Sequence, residues 1–235
     1  MGHDPTHPLT DSSARLLAAW ATAMGAPPSP RSTGEWIHLV RASSDAVVSV
    51  RVGGVGLTVA PEHLADQVSR LDPVTLLDAD LLAVALPGGA SPFGTAELLT
   101  LGAAGHALNP RTDARAARPA DVSSLRDHLA AEEWAESGLC DAERVWVSGP
   151  SGEALAAAGF SRWSSDVAHF CVASASASRR RGHATAAASR AVSAALEEGL
   201  VPQWRSRRGN DASFRLALSL GFSPAGIQAT ALVSS

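Results

Sequence analysis

The sequence predicts a mixed α/β fold. Three observations carry that expectation: short β-branched or aromatic runs alternate with stretches of helical spacing, a strand, a turn and a helix follow one another in the C-terminal half, and apolar residues are plentiful. With 235 residues, 46% of them hydrophobic and 18% charged, burial offsets the entropy of ordering, and a globular chain of two domains is expected.

The first expected element is a helix over Asp11 to Met24, where Leu16, Leu17, Trp20, Ala21 and Met24 form an amphipathic face, with Ser12 and Ser13 as capping residues ahead of it. Gly25 and Pro27, Pro28 and Pro30 end it. Trp36 to Val40, Ala46 to Val52 and Val55 to Val59 read as hairpin strands, divided by Ser43, Ser44, Gly53 and Gly54. Pro61 to Leu71 returns to helical spacing, with proline in an acceptable first-turn position. From Asp72 to Pro92 and from Ala96 to Leu108, prolines and glycines interrupt the apolar residues, and no element is assigned. The polar segment Asn109 to Pro119 divides the chain into an N-terminal α/β region, residues 1–110, and a second domain, residues 111–235.

Beyond that boundary the pattern predicts a helix at Asp121 to Ala135 and strands at Arg144 to Ser148, Ala154 to Trp163 and Val167 to Ser174. An arginine and glycine turn follows, then a helix from about Ala184 to Glu198, a strand at Gln203 to Arg207 and a helix at Asp211 to Leu220. Gly199 and Gly221 stand just past the two helices, where a left-handed cap suits glycine. The apolar tail Ile227 to Val233 reads as a strand that completes this sheet or pairs with that of a second copy, which would make a homodimer.

Composition narrows the function classes. A net charge of −4 argues against a general polyanion binder. Cys140 and Cys171 have no CxxC spacing, so neither a disulfide framework nor a cysteine-built zinc site is implied. His3 and His7 are four apart, but Pro5 opposes a helical pair, and no metal site is expected. The start MGHDPTHPLTDSS lacks the layout of a secretory signal, and no apolar run approaches the roughly 20 residues of a membrane span. A soluble, cytoplasmic protein with no membrane partner is expected.

The stretch Val172 to Thr185 is the most informative. A strand runs out, turns through Arg179, Arg180, Arg181 and Gly182, and opens a helix at His183, Ala184 and Thr185. Amides at a helix start point outward unsatisfied, and the helix dipole adds partial positive charge, so the geometry suits a pyrophosphate. The arginines add countercharge and donors, and Gly182 and Ala184 let the main chain approach phosphate oxygens closely. A solvated charge run, or a nucleic-acid patch with Arg205, Arg207 and Arg208, is the competing reading, against which the net negative charge counts.

Here the sequence resembles the GNAT superfamily of acyl-CoA-dependent N-acyltransferases, whose signature is Gln or Arg, two variable residues, Gly, one variable residue, then Gly or Ala. Arg179, Gly182 and Ala184 match it in register, although Ser176 stands where many members carry proline. Downstream, Asn210, Ala212, Ser213, Leu216, Leu220, Gly221 and Phe222 resemble a second family segment, and Ala117 to Asp121 resemble the first strand-to-helix junction. The resemblance covers about Arg115 to Ser235. It implies a GNAT-type fold with an additional N-terminal α/β region, itself either a substrate-side module or a decayed second copy.

The resemblance further implies acetyl-CoA as acyl donor and an unidentified amine as acceptor, joined by direct transfer in a ternary complex. It places the main chain at Cys171 or Val172 on the thioester carbonyl, and Arg179 to Thr185 with Asn210 and Ser213 on the cofactor. Many relatives use a tyrosine on the last helix as the acid; this chain has no tyrosine, and Ala217 occupies the aligned position. Ser213 is then the candidate acid, and His169 or Glu133 the candidate base. Glu132, Glu133, Trp134 and Glu136 read equally as an acceptor wall or as a solvated acidic helix end. An acyl-CoA-binding sensor without turnover is the alternative function.

Overall fold

The computed structural model describes residues 11–26, 34–102, 113–164 and 166–233. The expected boundary near residue 110, the prolines at 27, 28 and 30, and the His3 and His7 pair lie outside the described residues. The chain forms two compact units: residues 1–102, 205–214 and 224–235 in one, and 103–204 and 215–223 in the other.

In the first unit α1 (Asp11–Met24) buries Leu16, Leu17, Trp20, Ala21 and Met24, as its spacing predicts. The helix already includes Ser12 and Ser13, which therefore sit in its first turn rather than ahead of it. Strands β1 (Trp36–Val40), β2 (Ala46–Val52), β3 (Val55–Ala60), β4 (Ser91–Thr100) and β10 (Ser223–Leu232) form a sheet in the order β1-β3-β2-β10-β4. β2 and β3 make the expected hairpin, turning through Gly53 and Gly54 at φ 57 and 86°.

β1 departs from the hairpin expectation: it pairs in parallel with β3, not with β2. Its register puts Trp36 opposite Gly56, where the indole fills the space a side chain would take, and Trp36 Nε1 donates to Thr58 Oγ1 at 2.9 Å. β10 pairs with β2 along seven residues and has β4 on its other side, so the apolar tail completes a sheet of its own chain and presents no free edge for a second copy.

The stretch unassigned from sequence folds as α3 (Pro73–Leu76) and α4 (Ala79–Ala85), after a 3-10 turn at Glu62–Leu64 and a single turn of helix, α2 (Ala65–Val68). Each of α3 and α4 starts at an aspartate cap: Asp72 accepts from the Val74 and Thr75 amides, and Asp78 from those of Asp80 and Leu81. Val47, Leu64, Val68, Leu76 and Leu82 pack together beneath them.

The second unit holds β5 (Ala114–Ala116), α5 (Pro119–Asp127), α6 (Ala131–Ser137), β6 (Arg144–Ser148), β7 (Ala156–Trp163), β8 (Val167–Ser174) and α7 (His183–Glu197). β5 to β8 run antiparallel in order, and β9 (Val201–Arg207) joins β8 in parallel. α8 (Asp211–Ser219) follows β9.

The one long helix expected over 121–135 is two, broken at residues 128–130. Trp134 lies nine residues beyond Leu125, so a continuous helix would aim them to opposite sides. The break lets both pack on one core with Leu139, Val147, Ala157 and Cys171.

Side chains alternate across a strand, so Trp146 and Ser148 face away from the side that carries Val147. On that opposite face Trp146, Phe160, Phe170 and Trp204 form a row of rings 5.8 to 6.1 Å apart, with Phe222 edge-on to the last two. α7 covers this face through Ala187, Ala188, Ala191 and Ala195, all fully buried; side chains this small let the helix lie close to the sheet.

Candidate functional site

β8 leaves β9 early. Their pairing runs Val167 with Val201, Ala168 with Pro202 and His169 with Gln203, and stops there, while β8 continues to Ser174 with only β7 beside it. Past His169 no β9 residue pairs with β8, and an unpaired strand edge is a template for an extended partner.

At the end of β8 a 3-10 turn over Ser176–Ser178 leads into Arg179, which is extended, and then into two left-handed residues, Arg180 at φ 62° and Gly182 at φ 86°. A left-handed arginine costs about 1 kcal/mol. α7 starts immediately after, its first helical bond running from the Ala186 amide to the Gly182 carbonyl at 2.9 Å. The amides of His183, Ala184 and Thr185 therefore have no acceptor within the helix. Arg179, Arg180 and Arg181 are all exposed. The cradle of outward amides, a left-handed glycine and three guanidinium groups fits a phosphate diester or pyrophosphate.

Two side chains tie this turn to the rest of the unit. Arg179 donates to Glu133 on α6 at 2.6 Å, and this partner holds the Glu133 carboxyl below its ordinary pKa. His183, the first residue of α7, places Nδ1 2.9 Å from Oγ of Ser148 at the end of β6.

Of the other residues singled out in the sequence, Cys171 is buried in the core, and desolvation pushes its thiol up to about 12. His169 shares a 3.3 Å hydrogen bond with buried Gln203. Asn210 and Ser213 belong to the first unit, where Asn210 Oδ1 accepts from the Ser213 amide at 3.0 Å as the cap of α8. A groove of about 240 Å³ in that unit opens beside Asn210 and is lined also by Glu97, Arg207, Arg208 and Phe214. Ala217 is fully buried, so the position aligned with the family's tyrosine offers neither hydroxyl nor exposure.

The structure thus brings together Arg179 to Thr185, Glu133 and the end of β8. Sequence reasoning missed Ser148: it lies 35 residues from its partner, and a serine at a strand end carries no local signal.

A strand edge without a partner, followed by an anion-binding turn on a small-sided helix, is a framework for a phosphate-bearing ligand with an extended arm. Residues 152–227 match the family model described as GNAT acetyltransferase. The matched stretch includes Arg179, Gly182 and Ala184.

A GCN5-related N-acetyltransferase-like protein from Streptococcus suis 89/1591 is similar in structure, with TM-score 0.51 and 18% identity, covering 96% of this chain and 100% of that one. An acetyltransferase of the GNAT family from Novosphingobium aromaticivorans has TM-score 0.47 and 21% identity, covering 63% of this chain and 70% of that one. One from Colwellia psychrerythraea has TM-score 0.48 and 16% identity, covering 66% of this chain and 62% of its own. No curated protein matches the sequence.

Proposed function

We propose that the C-terminal half transfers an acetyl group from acetyl-CoA to a primary amine, directly and within a ternary complex. The observation that carries this reading is the early separation of β8 from β9 leading into the Arg179 to Thr185 turn. The free edge of β8 suits the amide-bearing arm of the donor, and the amides of His183, Ala184 and Thr185, with Arg179, Arg180 and Arg181, suit its pyrophosphate. Gly182 supplies the close approach.

The donor supplies an activated thioester. Amine nitrogen attacks the carbonyl carbon, the C–N bond forms and the C–S bond breaks, the extra ammonium proton goes to a base and the departing thiolate takes a proton from an acid. A main-chain amide at Cys171 or Val172 polarises the carbonyl oxygen, a role independent of side-chain identity. His169, oriented by Gln203, is the stronger candidate base, because the Glu133 carboxylate is engaged by Arg179 and lowered in basicity. The thiol of Cys171 stays protonated and buried, which supports direct transfer over an acyl-cysteine.

The test is release of free CoA thiol from acetyl-CoA with small amines, a peptide with a free N-terminus and a lysine peptide as acceptors. Amine-dependent release is expected, falling roughly 100-fold in His169→Ala. Buried Ala217 in place of a tyrosine favours a second reading, an acyl-CoA sensor; binding without turnover on any amine would select it.

A further inference from the structure

Ser148 takes part in none of the contacts that the family signature describes, yet it is 1% exposed and its hydroxyl lies 2.9 Å from His183 Nδ1. Among the described residues this imidazole is the one partner of that hydroxyl. A buried hydroxyl proton left without an acceptor is costly, and the acceptor at hand is the imidazole nitrogen. Nδ1 accepting from Ser148 leaves the ring proton on Nε2. His183 is the residue between Gly182 and Ala184, so it stands in the first turn of α7 next to the amides of Ala184 and Thr185.

We propose that Ser148 is a positioning residue for the cofactor turn. Its hydroxyl pins the first turn of α7 to the end of β6 and selects the Nε2–H tautomer of His183, which then adds a neutral donor for a phosphate oxygen to the three outward amides. The proposal rests on the reading of this turn as the pyrophosphate site. It gives the position between the glycine and alanine of the signature a side-chain role, and it makes a strand end on β6 part of donor affinity. The geometry favours serine at 148 over alanine for reasons other than packing, since the methyl group of alanine would fit the same space.

Two readouts test it. Nitrogen NMR of histidine-labelled protein, at alkaline pH and without ligand, should show His183 as the Nε2–H tautomer in the unaltered protein and lose that preference in Ser148→Ala. Calorimetric titration with CoA should show Ser148→Ala binding roughly fivefold to tenfold more weakly, the effect of one lost hydrogen bond, while the thermal midpoint holds. Ser148→Thr, which keeps the hydroxyl, should restore the tautomer and most of the affinity. An Nδ1–H tautomer in the unaltered protein, or equal CoA affinity in a folded Ser148→Ala, overturns the proposal. An Nε2–H tautomer in a protein that binds no CoA removes the pyrophosphate reading on which it stands, a distinct failure.

Discussion

The Glu133 carboxylate accepts from the Arg179 guanidinium at 2.6 Å, so the first residue of the proposed cofactor turn is held by an acid on α6. Both side chains are close to half exposed, which keeps the pair modest and salt-sensitive. Glu133→Gln frees Arg179 and removes a negative charge from the turn, and CoA affinity is expected to rise about twofold to fivefold at low salt and to converge with that of the unaltered protein at high salt. Titration at two ionic strengths checks this; weaker binding in Glu133→Gln would mean that the pair preorganises the turn instead.

Asp121 is 1% exposed and takes both Arg115 nitrogens, at 2.6 and 2.7 Å, and the Arg118 amide at 2.9 Å. The Arg115 guanidinium holds its carboxyl far below the ordinary aspartate value. A depressed folded-state pKa contributes stability above the unfolded pKa, roughly 4, and loses it as pH falls from there toward the folded value. Asp121→Ala leaves a partly buried guanidinium unpaired and should cost about 3 kcal/mol at neutral pH, a deficit that shrinks below pH ~4. Urea unfolding at neutral and acid pH measures both.

Gly159 pairs with Cys171 across β7 and β8, and a Cβ there would stand 2.3 Å from the Arg144 carbonyl oxygen on β6. Backbone cannot retreat as a flexible side chain can, so Gly159→Ala should destabilise the second unit by about 2 to 3 kcal/mol. Denaturant midpoints settle the value; a neutral substitution would show that β6 can shift without cost.

Cys140 is exposed and Cys171 buried with its thiol raised to about 12. At pH 8 a thiol reagent should label Cys140 alone in the native protein and both cysteines after denaturation. Rapid labelling of Cys171 would reopen a thiolate route for acyl transfer.

The parts of the fold readable from sequence are those specified locally. α1 and α7 follow from apolar spacing, and Gly182, Gly199 and Gly221 mark turns through left-handed φ values of 86, 71 and 86°. α3 and α4 are too short for periodicity to show, and only their capping residues Asp72 and Asp78 announce them. Long-range choices stayed hidden: the parallel pairing of β1 with β3 depends on the match of Trp36 to Gly56, and the break between α5 and α6 on bringing Leu125 and Trp134 to one core. The turn from Arg179 into α7 was legible because its left-handed position at Gly182 favours glycine. The Ser148 and His183 contact and the Glu133 and Arg179 pair were not, since each joins residues far apart in the chain.

The turn from Arg179 to Thr185 is proposed to bind the phosphates of an acyl-CoA. Calorimetric titration of acetyl-CoA and CoA into the unaltered protein and Gly182→Trp tests it most directly, with circular dichroism and the thermal midpoint reporting the fold. A dissociation constant on the order of micromolar is expected for both ligands, with binding abolished in a folded Gly182→Trp, whose indole would occupy the cradle. Unchanged affinity in the folded variant, or no binding of any acyl-CoA to the unaltered protein, would contradict it.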